Sequence, residues 1–197
     1  MGDLRPFLRR RPDGRCRLMG ILNVTPDSFH ADSRVDLESA VERAMQMWSN
    51  GADWVDVGGE STRPGADPVD PQEEMRRVIP VIKAIRKANP SGLISIDTRR
   101  FDVARAALEA GANMINDVSG LRDPEMADLV LEQSCAVCVM HMQGEPGNMQ
   151  QNPAYDDVHK EVYDELNETA AALVEGGHDP GLICLDPGIG FGKSLTH

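Results

Sequence analysis

Trp54-Val55-Asp56-Val57-Gly58-Gly59-Glu60-Ser61-Thr62-Arg63-Pro64-Gly65 is the stretch that decides the fold. A short β-type run passes directly into a polar, glycine-rich loop, and the same order recurs along the chain. Leu18 to Leu22 leads into Asn23-Val24-Thr25-Pro26-Asp27-Ser28-Phe29, Leu93 to Ile96 into Asp97-Thr98, and Met114 to Ile115 into Asn116-Asp117-Val118-Ser119-Gly120. Ala136 to Met140 leads into His141-Met142-Gln143-Gly144, and Leu182 to Leu185 into Asp186-Pro187-Gly188. These are six candidate strands, each with its unusual residues at the C-terminal end.

Between the strands the apolar period changes to that of a helix. Leu37, Ala40, Val41, Ala44 and Met47/Trp48 recur at three-to-four spacing, as do Met75, Val78, Ile79, Ile82 and Ile85, so helices are expected near 36–50 and 71–87. Further helices are expected near 101–110, 124–132 and 155–176. Asp70-Pro71 and Asp123-Pro124 serve as starts, and Gly51, Gly111 and Gly176-Gly177 as stops.

Strict βα alternation with strands apolar on both faces predicts a parallel sheet. Six polar strand ends would share one rim, which is how a TIM (β/α)8 barrel arranges its chemistry. The predicted class is therefore α/β, a barrel with about six βα units in this chain, and an open doubly wound sheet is the runner-up. Residues 18–197 form one expected domain behind an N-terminal extension, 1–17.

Composition narrows the function. Across 197 residues, 41% are hydrophobic but only 4% aromatic, so the core is expected to rest on Val, Ile, Leu, Ala and Met. A net charge of −12 argues against nucleic acid as a partner, because phosphate recognition needs a concentrated positive field. Only Lys83, Lys87, Lys160 and Lys193 are lysines, and so acidic and Lys-poor a surface suits high salt. The longest apolar runs fall far short of the roughly 20 residues of a membrane helix. The Arg-rich start is interrupted by Pro6, Pro12 and Asp13 with no apolar segment following, so a cytoplasmic chain without membrane contact is expected. Cys135 and Cys138 lie three apart on a strand and should face opposite ways, which excludes a small dithiol loop.

A strand-end Asp is ordinarily a cap or turn residue. Asp56, Asp97, Asn116 and Asp186 at equivalent strand ends are a different matter: together they supply the donors and acceptors that the edge of a flat nitrogen heterocycle needs. The side-chain oxygen of Asn23 suits Mg2+, which takes few protein ligands and fills the rest with water and phosphate. Thr62 and Arg63 could hold an anion through charge-assisted hydrogen bonds. Gly188-Ile189-Gly190-Phe191-Gly192-Lys193-Ser194 has the look of a P-loop, but Pro187 stands where the first glycine is required. The five histidines show no metal-ligand spacing, and His159 and His178 are expected at the surface.

Taken together, MGILNVTPDSF (19–29), DVGGESTRPG (56–65), IDT (96–98), NDVSG (116–120), MHMQG (140–144) and LDPG (185–188) resemble dihydropteroate synthase, over about 18–197. The resemblance implies a TIM barrel enzyme, usually a homodimer. Its reaction condenses (7,8-dihydropterin-6-yl)methyl diphosphate with 4-aminobenzoate, giving 7,8-dihydropteroate and diphosphate, with Mg2+ assisting departure of the diphosphate. Carried over by motif, Asp97, Asn116 and Asp186 would hydrogen-bond the pterin, with Val118 and Met140 lining its slot. Asn23 would be the metal ligand. Thr62 and Arg63 would contact the diphosphate and aminobenzoate side, while Phe29, Pro64 and Phe191 close over the second substrate. Asp97 and Arg63 would carry the catalysis.

Three departures accompany the match. His30-Ala31-Asp32-Ser33 replaces the usual Ser-Asp-Gly-Gly after the phenylalanine. The Gly59-to-Pro64 loop carries no extra residues, so sulfonamide sensitivity is expected. The family's strand-seven lysine and its strand-eight arginine and histidine have no counterparts before His197, so this form is expected to be incomplete, and weakly active or inactive alone. Two other readings compete: a corrinoid-type pterin-dependent methyltransferase, and a non-catalytic pterin-binding fragment.

Overall fold

Helix starts show how locally the chain is instructed. Asp70 accepts from the Gln72 and Glu73 N–H groups, at 2.9 and 3.4 Å, with Pro71 in the first turn behind it. Asp123 accepts from Glu125 N at 3.0 Å before Pro124, and Asp157 from His159 N and Lys160 N at 3.1 Å each. Each carboxylate satisfies N–H groups the first turn would leave orphaned, and each lies at the positive end of the helix dipole. Past the helices, Gly51, Gly111 and Gly177 adopt φ of +102°, +110° and +95°, a conformation that side chains disfavour.

The computed structural model describes residues 2–24, 34–61 and 68–197, with side chains in the first helix from Leu37 onward. In chain order the elements are β1 (Met19–Asn23), α1 (Arg34–Ser49), β2 (Trp54–Gly58), α2 (Pro71–Ala88), β3 (Leu93–Asp97) and α3 (Phe101–Glu109). They continue with β4 (Met114–Asp117), α4 (Pro124–Gln133), β5 (Ala136–Met140), α5 (Val158–Glu175) and β6 (Ile183–Asp186). All neighbouring strands are parallel, and the spatial order is β1-β2-β3-β4-β5-β6.

That order removes the doubly wound alternative, which needs a point where the strand order reverses. The helices also pack on one face only. Val55, Val57, Ile94, Ile96, Ile115, Val137 and Val139 point from the strands into a single cluster with Ala44, Ile82, Val103, Leu129 and Leu166 of the five helices. Each fully buried Val, Leu or Ile contributes about 1.5–3 kcal/mol, so this layer is the main source of stability. The described residues form a six-stranded arc of a barrel whose sheet is not closed. On the inner face beside the β1 edge, Met19 and Ile21 are accordingly 38% and 62% exposed.

The N-terminal extension is the floor of the arc. Leu4 and Leu8 pack beneath Trp54, Met114, Ala136 and Cys138 on the inner face, and Trp54 Nε1 donates to Phe7 O at 3.1 Å. Asp53 clamps the returning chain by accepting from Arg11 Nη2 (2.8 Å), Arg17 Nη1 (2.7 Å) and Leu18 N (2.9 Å). Burial opposes ionisation of Asp53, but these hydrogen bonds outweigh it and hold its pKa below the ordinary value.

Two sequence expectations need correcting. Most strands run one or two residues further than expected, because Asn23, Gly58, Asp97, Asn116 and Asp186 still belong to the ladder. His178 is buried, not a surface residue. Gly177 reverses the chain after α5 and His178 N donates to Leu173 O at 2.9 Å, so the imidazole turns inward, where burial pushes its pKa down. Cys135 joins the helix-side cluster and Cys138 the inner one, so the two do face opposite ways.

Candidate functional site

Parallel register assembles the site. Asn23, Gly58, Asp97 and Asn116 are consecutive cross-strand partners on β1 to β4, and Met140 pairs with Asp186 across β5 and β6. Side chains two apart share a face, so Asp56 lies one layer below Gly58 on the same inner surface. Asp56 is 4% exposed; its Oδ2 accepts from Asn116 Nδ2 at 3.0 Å, while its Oδ1 has no partner.

Gly58 leaves a gap at the centre of the layer. A Cβ there would lie 3.3 Å from Asp97 Oδ2 and 3.7 Å from Asn23 Oδ1, so any larger residue would fill the space between these two oxygens. Among the described residues no group of three His, Cys, Asp or Glu side chains could hold a metal ion. Asn23 Oδ1 beside an open gap does fit Mg2+, which needs few protein ligands when phosphate and water supply the others.

Burial raises the pKa of Asp97 well above the ordinary carboxylate value, reinforced by the charges of Asp56, Glu74, Asp117 and Glu60. Burial likewise raises Asp56, against the hydrogen bond from Asn116. The site is a set of carboxyls crowded together in a place that disfavours their charge, and it favours a ligand that donates hydrogen bonds or carries positive charge.

Apolar walls complete one side. Val118, Met140, Met142 and Met149 are buried in one cluster, and Phe191 packs against them. Asp117, just below Val118, points away and organises the loop: it accepts from Ser119 N at 2.7 Å, Ser119 Oγ at 2.6 Å and Leu121 N at 3.0 Å. Asp186 Oδ1 accepts from Gly188 N at 2.8 Å and so shapes the loop after β6.

The predicted residues Asn23, Asp97, Asn116, Val118, Met140, Asp186 and Phe191 thus gather at the C-terminal end of the sheet. Phe29, Thr62, Arg63 and Pro64 lie outside the described residues. Sequence reasoning gave no role to the network that roots the loop between β2 and α2. There Glu60 Oε2 accepts from Val69 N at 2.7 Å and from Arg100 Nη2 at 2.6 Å. Arg100 also donates to Val69 O at 2.6 Å and pairs with fully buried Glu74. Two adjacent arginines after Ile96-Asp97-Thr98, with acidic residues on both sides of the glycine-rich loop, were its only trace in the sequence.

A family model described as "Pterin binding enzyme" matches residues 19–197. The chain belongs to the pterin-binding enzyme family. The dihydropteroate synthase of Escherichia coli K12 is 46% identical over 181 residues, covering 91% of this chain and 64% of that protein. A probable bifunctional folylpolyglutamate synthase/dihydropteroate synthase of Haloferax volcanii is 50% identical over 178 residues, or 90% of this chain and 21% of its own length. Among solved structures, the Yersinia pestis dihydropteroate synthase with a sulfonamide drug superposes with a TM-score of 0.83 at 42% identity, covering 92% of this chain and 66% of that one. The Burkholderia cenocepacia enzyme complexed with 7,8-dihydropteroate gives 0.79 at 47% identity, with coverage of 91% and 61%. The chain therefore spans less than two thirds of each of these relatives. Within the family's barrel its six described strands are an arc, in line with the expected six or so βα units.

Proposed function

We propose that this chain carries the pterin side of a dihydropteroate synthase, a transferase joining (7,8-dihydropterin-6-yl)methyl diphosphate to 4-aminobenzoate. The observation that carries the reading is the in-register layer Asn23, Gly58, Asp97, Asn116, with Asp56 buried beneath it and Asp186 at the sixth strand end. Carboxyl and carboxamide groups of that kind match the edge of a pterin ring, which presents adjacent N–H donors and ring-nitrogen acceptors.

In this reading Asn116, Asp97 and Asp186 orient the ring, and Val118 and Met140 line its faces. As diphosphate departs, positive charge develops on the pterin methylene, and the Asp97 carboxylate stabilises it electrostatically. The arylamine then attacks the methylene carbon. The carbon–oxygen bond to diphosphate breaks, a carbon–nitrogen bond forms, and the amine loses a proton. Thr62 and Arg63 take the diphosphate and aminobenzoate side, with Phe29, Pro64 and Phe191 excluding water. Mg2+, held by Asn23, would supply charge neutralisation for the leaving diphosphate. Homodimer formation and sulfonamide sensitivity belong to the same reading.

Calorimetry with a pterin, followed by an assay of diphosphate release with both substrates, tests it. Binding and turnover in the full-length protein are expected. A full-length protein that binds methyltetrahydrofolate in preference to the pterin diphosphate would overturn it, and turnover unchanged by a high sulfonamide dose would remove the sensitivity.

A further inference from the structure

Lys193 closes the glycine-rich run after β6, and its ammonium is sequestered. Nζ donates to Phe191 O at 2.9 Å and Gly188 O at 3.1 Å, and its third N–H is shared between His141 Nδ1 at 2.9 Å and the longer contact to His141 O at 3.3 Å. An ammonium has three donors and no acceptor, so Nδ1 must be the bare, accepting nitrogen of a neutral imidazole. The proton then sits on Nε2, which lies 3.5 Å from Glu165 Oε2. The imidazole is 1% exposed, so this arrangement is internal to the protein.

The loop's glycines are shaped to the same contact. A Cβ on Gly188 (φ +62°) would lie 2.0 Å from His141 O, and one on Gly192 (φ +60°) 2.6 Å from Gln143 O. The loop after β6 therefore rests directly on the loop after β5. Between the two glycines sits Phe191, seated against Met140, Met142 and Val118. Lys193 gathers the carbonyls on either side of that ring and ties them to His141.

We propose that Lys193 and His141 are positioning residues that lock the β6 loop over the second-substrate side of the site, holding Phe191 at the height where an arylamine ring must lie. The inference rests on the synthase reading, through the role given there to Phe191. Neither residue touches a reacting atom. The lysine that gave this segment the look of a P-loop serves the protein's own carbonyls instead of a phosphate. The charged groups facing the imidazole are Lys193, Arg122 from the β4 loop and Glu165 from α5, with the Tyr155 ring 6.1 Å away. Burial and the Lys193 charge push His141 down from its ordinary pKa, which keeps the imidazole neutral around pH 7.

The test uses the full-length protein. Lys193→Met and His141→Ala should each raise KM for 4-aminobenzoate about tenfold, the worth of one hydrogen bond to a charged group, with kcat and pterin affinity changed less than about threefold. His141→Asn, which keeps an acceptor near the Nδ1 position, should restore most of the loss. Nitrogen NMR should show His141 with Nδ1 unprotonated in the parent and protonated in part in Lys193→Met. An unchanged KM in Lys193→Met overturns the proposal, as does loss of pterin affinity and arylamine affinity together in step with a lower melting temperature, or a parent imidazole protonated at Nδ1. If the parent shows no synthase turnover, the functional reading has failed, and the NMR measurement still decides whether the pair exists.

Discussion

Asn116 donates its side-chain amide to the Asp56 carboxylate at 3.0 Å, and that bond fixes which way the Asn116 amide faces. With Nδ2 committed downward, Oδ1 is the atom left to meet a ligand. Asp56→Ala should therefore free the amide to rotate and should weaken pterin binding by about 1.5–3 kcal/mol, roughly 10- to 150-fold, while leaving the fold intact. Titration calorimetry checks this, and affinity equal to the parent's would show that Asp56 does not orient Asn116.

Arg100 is expected to matter more for stability than its position on a loop suggests. It answers the charges of Glu60 and of Glu74, whose side chain is fully buried. Arg100→Met leaves Glu74 buried without its cation, a change that typically costs about 3–5 kcal/mol. Denaturant unfolding should show the loss, and Glu74→Gln in the same background should recover part of it.

Asp97 should make pterin binding pH-dependent. Its pKa in the folded protein is raised, so over a window above the ordinary carboxylate value of about 3.9 it is protonated where an unfolded chain would be ionised. The folded state then binds more protons than the unfolded one, and this group's contribution to stability falls as pH rises through that window. A ligand that needs the carboxylate must release the proton there. Calorimetry in two buffers of different ionisation enthalpy should detect proton release that disappears in Asp97→Asn, and equal heats in both buffers would argue against the role given to Asp97.

Asp53 should show the opposite dependence. Its folded pKa is depressed, so its contribution is present above the unfolded value of about 3.9 and is lost as pH falls through the folded one. Asp53→Asn removes the clamp at neutral pH. Faster tryptic cleavage after Arg10, Arg15 and Arg17 is the expected result, with a lower melting temperature, and a parent-like digestion pattern would show that the floor is held by Leu4, Leu8 and Trp54 alone.

Strand and helix placement could be read from the sequence because both are written in short-range code. Ala40 and Ala44, or Val78, Ile82 and Ile85, mark a buried face by their spacing, and Asp70-Pro71 announces a helix by chemistry confined to four residues. Asn23, Asp97, Asn116 and Asp186 were legible because each directly follows an apolar run. What escaped was set by partners distant in the chain. Glu60 meets Arg100 across 40 residues and Lys193 meets His141 across 52, with no periodicity linking either pair. His178 was misplaced for a related reason: polar neighbours suggested solvent, whereas the turn at Gly177 sent the ring inward.

Each strand of this sheet lies beside the one before it in sequence. Every pairing can therefore form as soon as its second strand leaves the ribosome, without waiting for a distant segment. The six described strands can be added by accretion at one edge, β1 to β6 in turn, on a floor whose residues precede them in the chain. Such growth keeps loop-closure costs small at each step and favours fast folding for a parallel sheet, a class whose long-range pairings otherwise fold slowly.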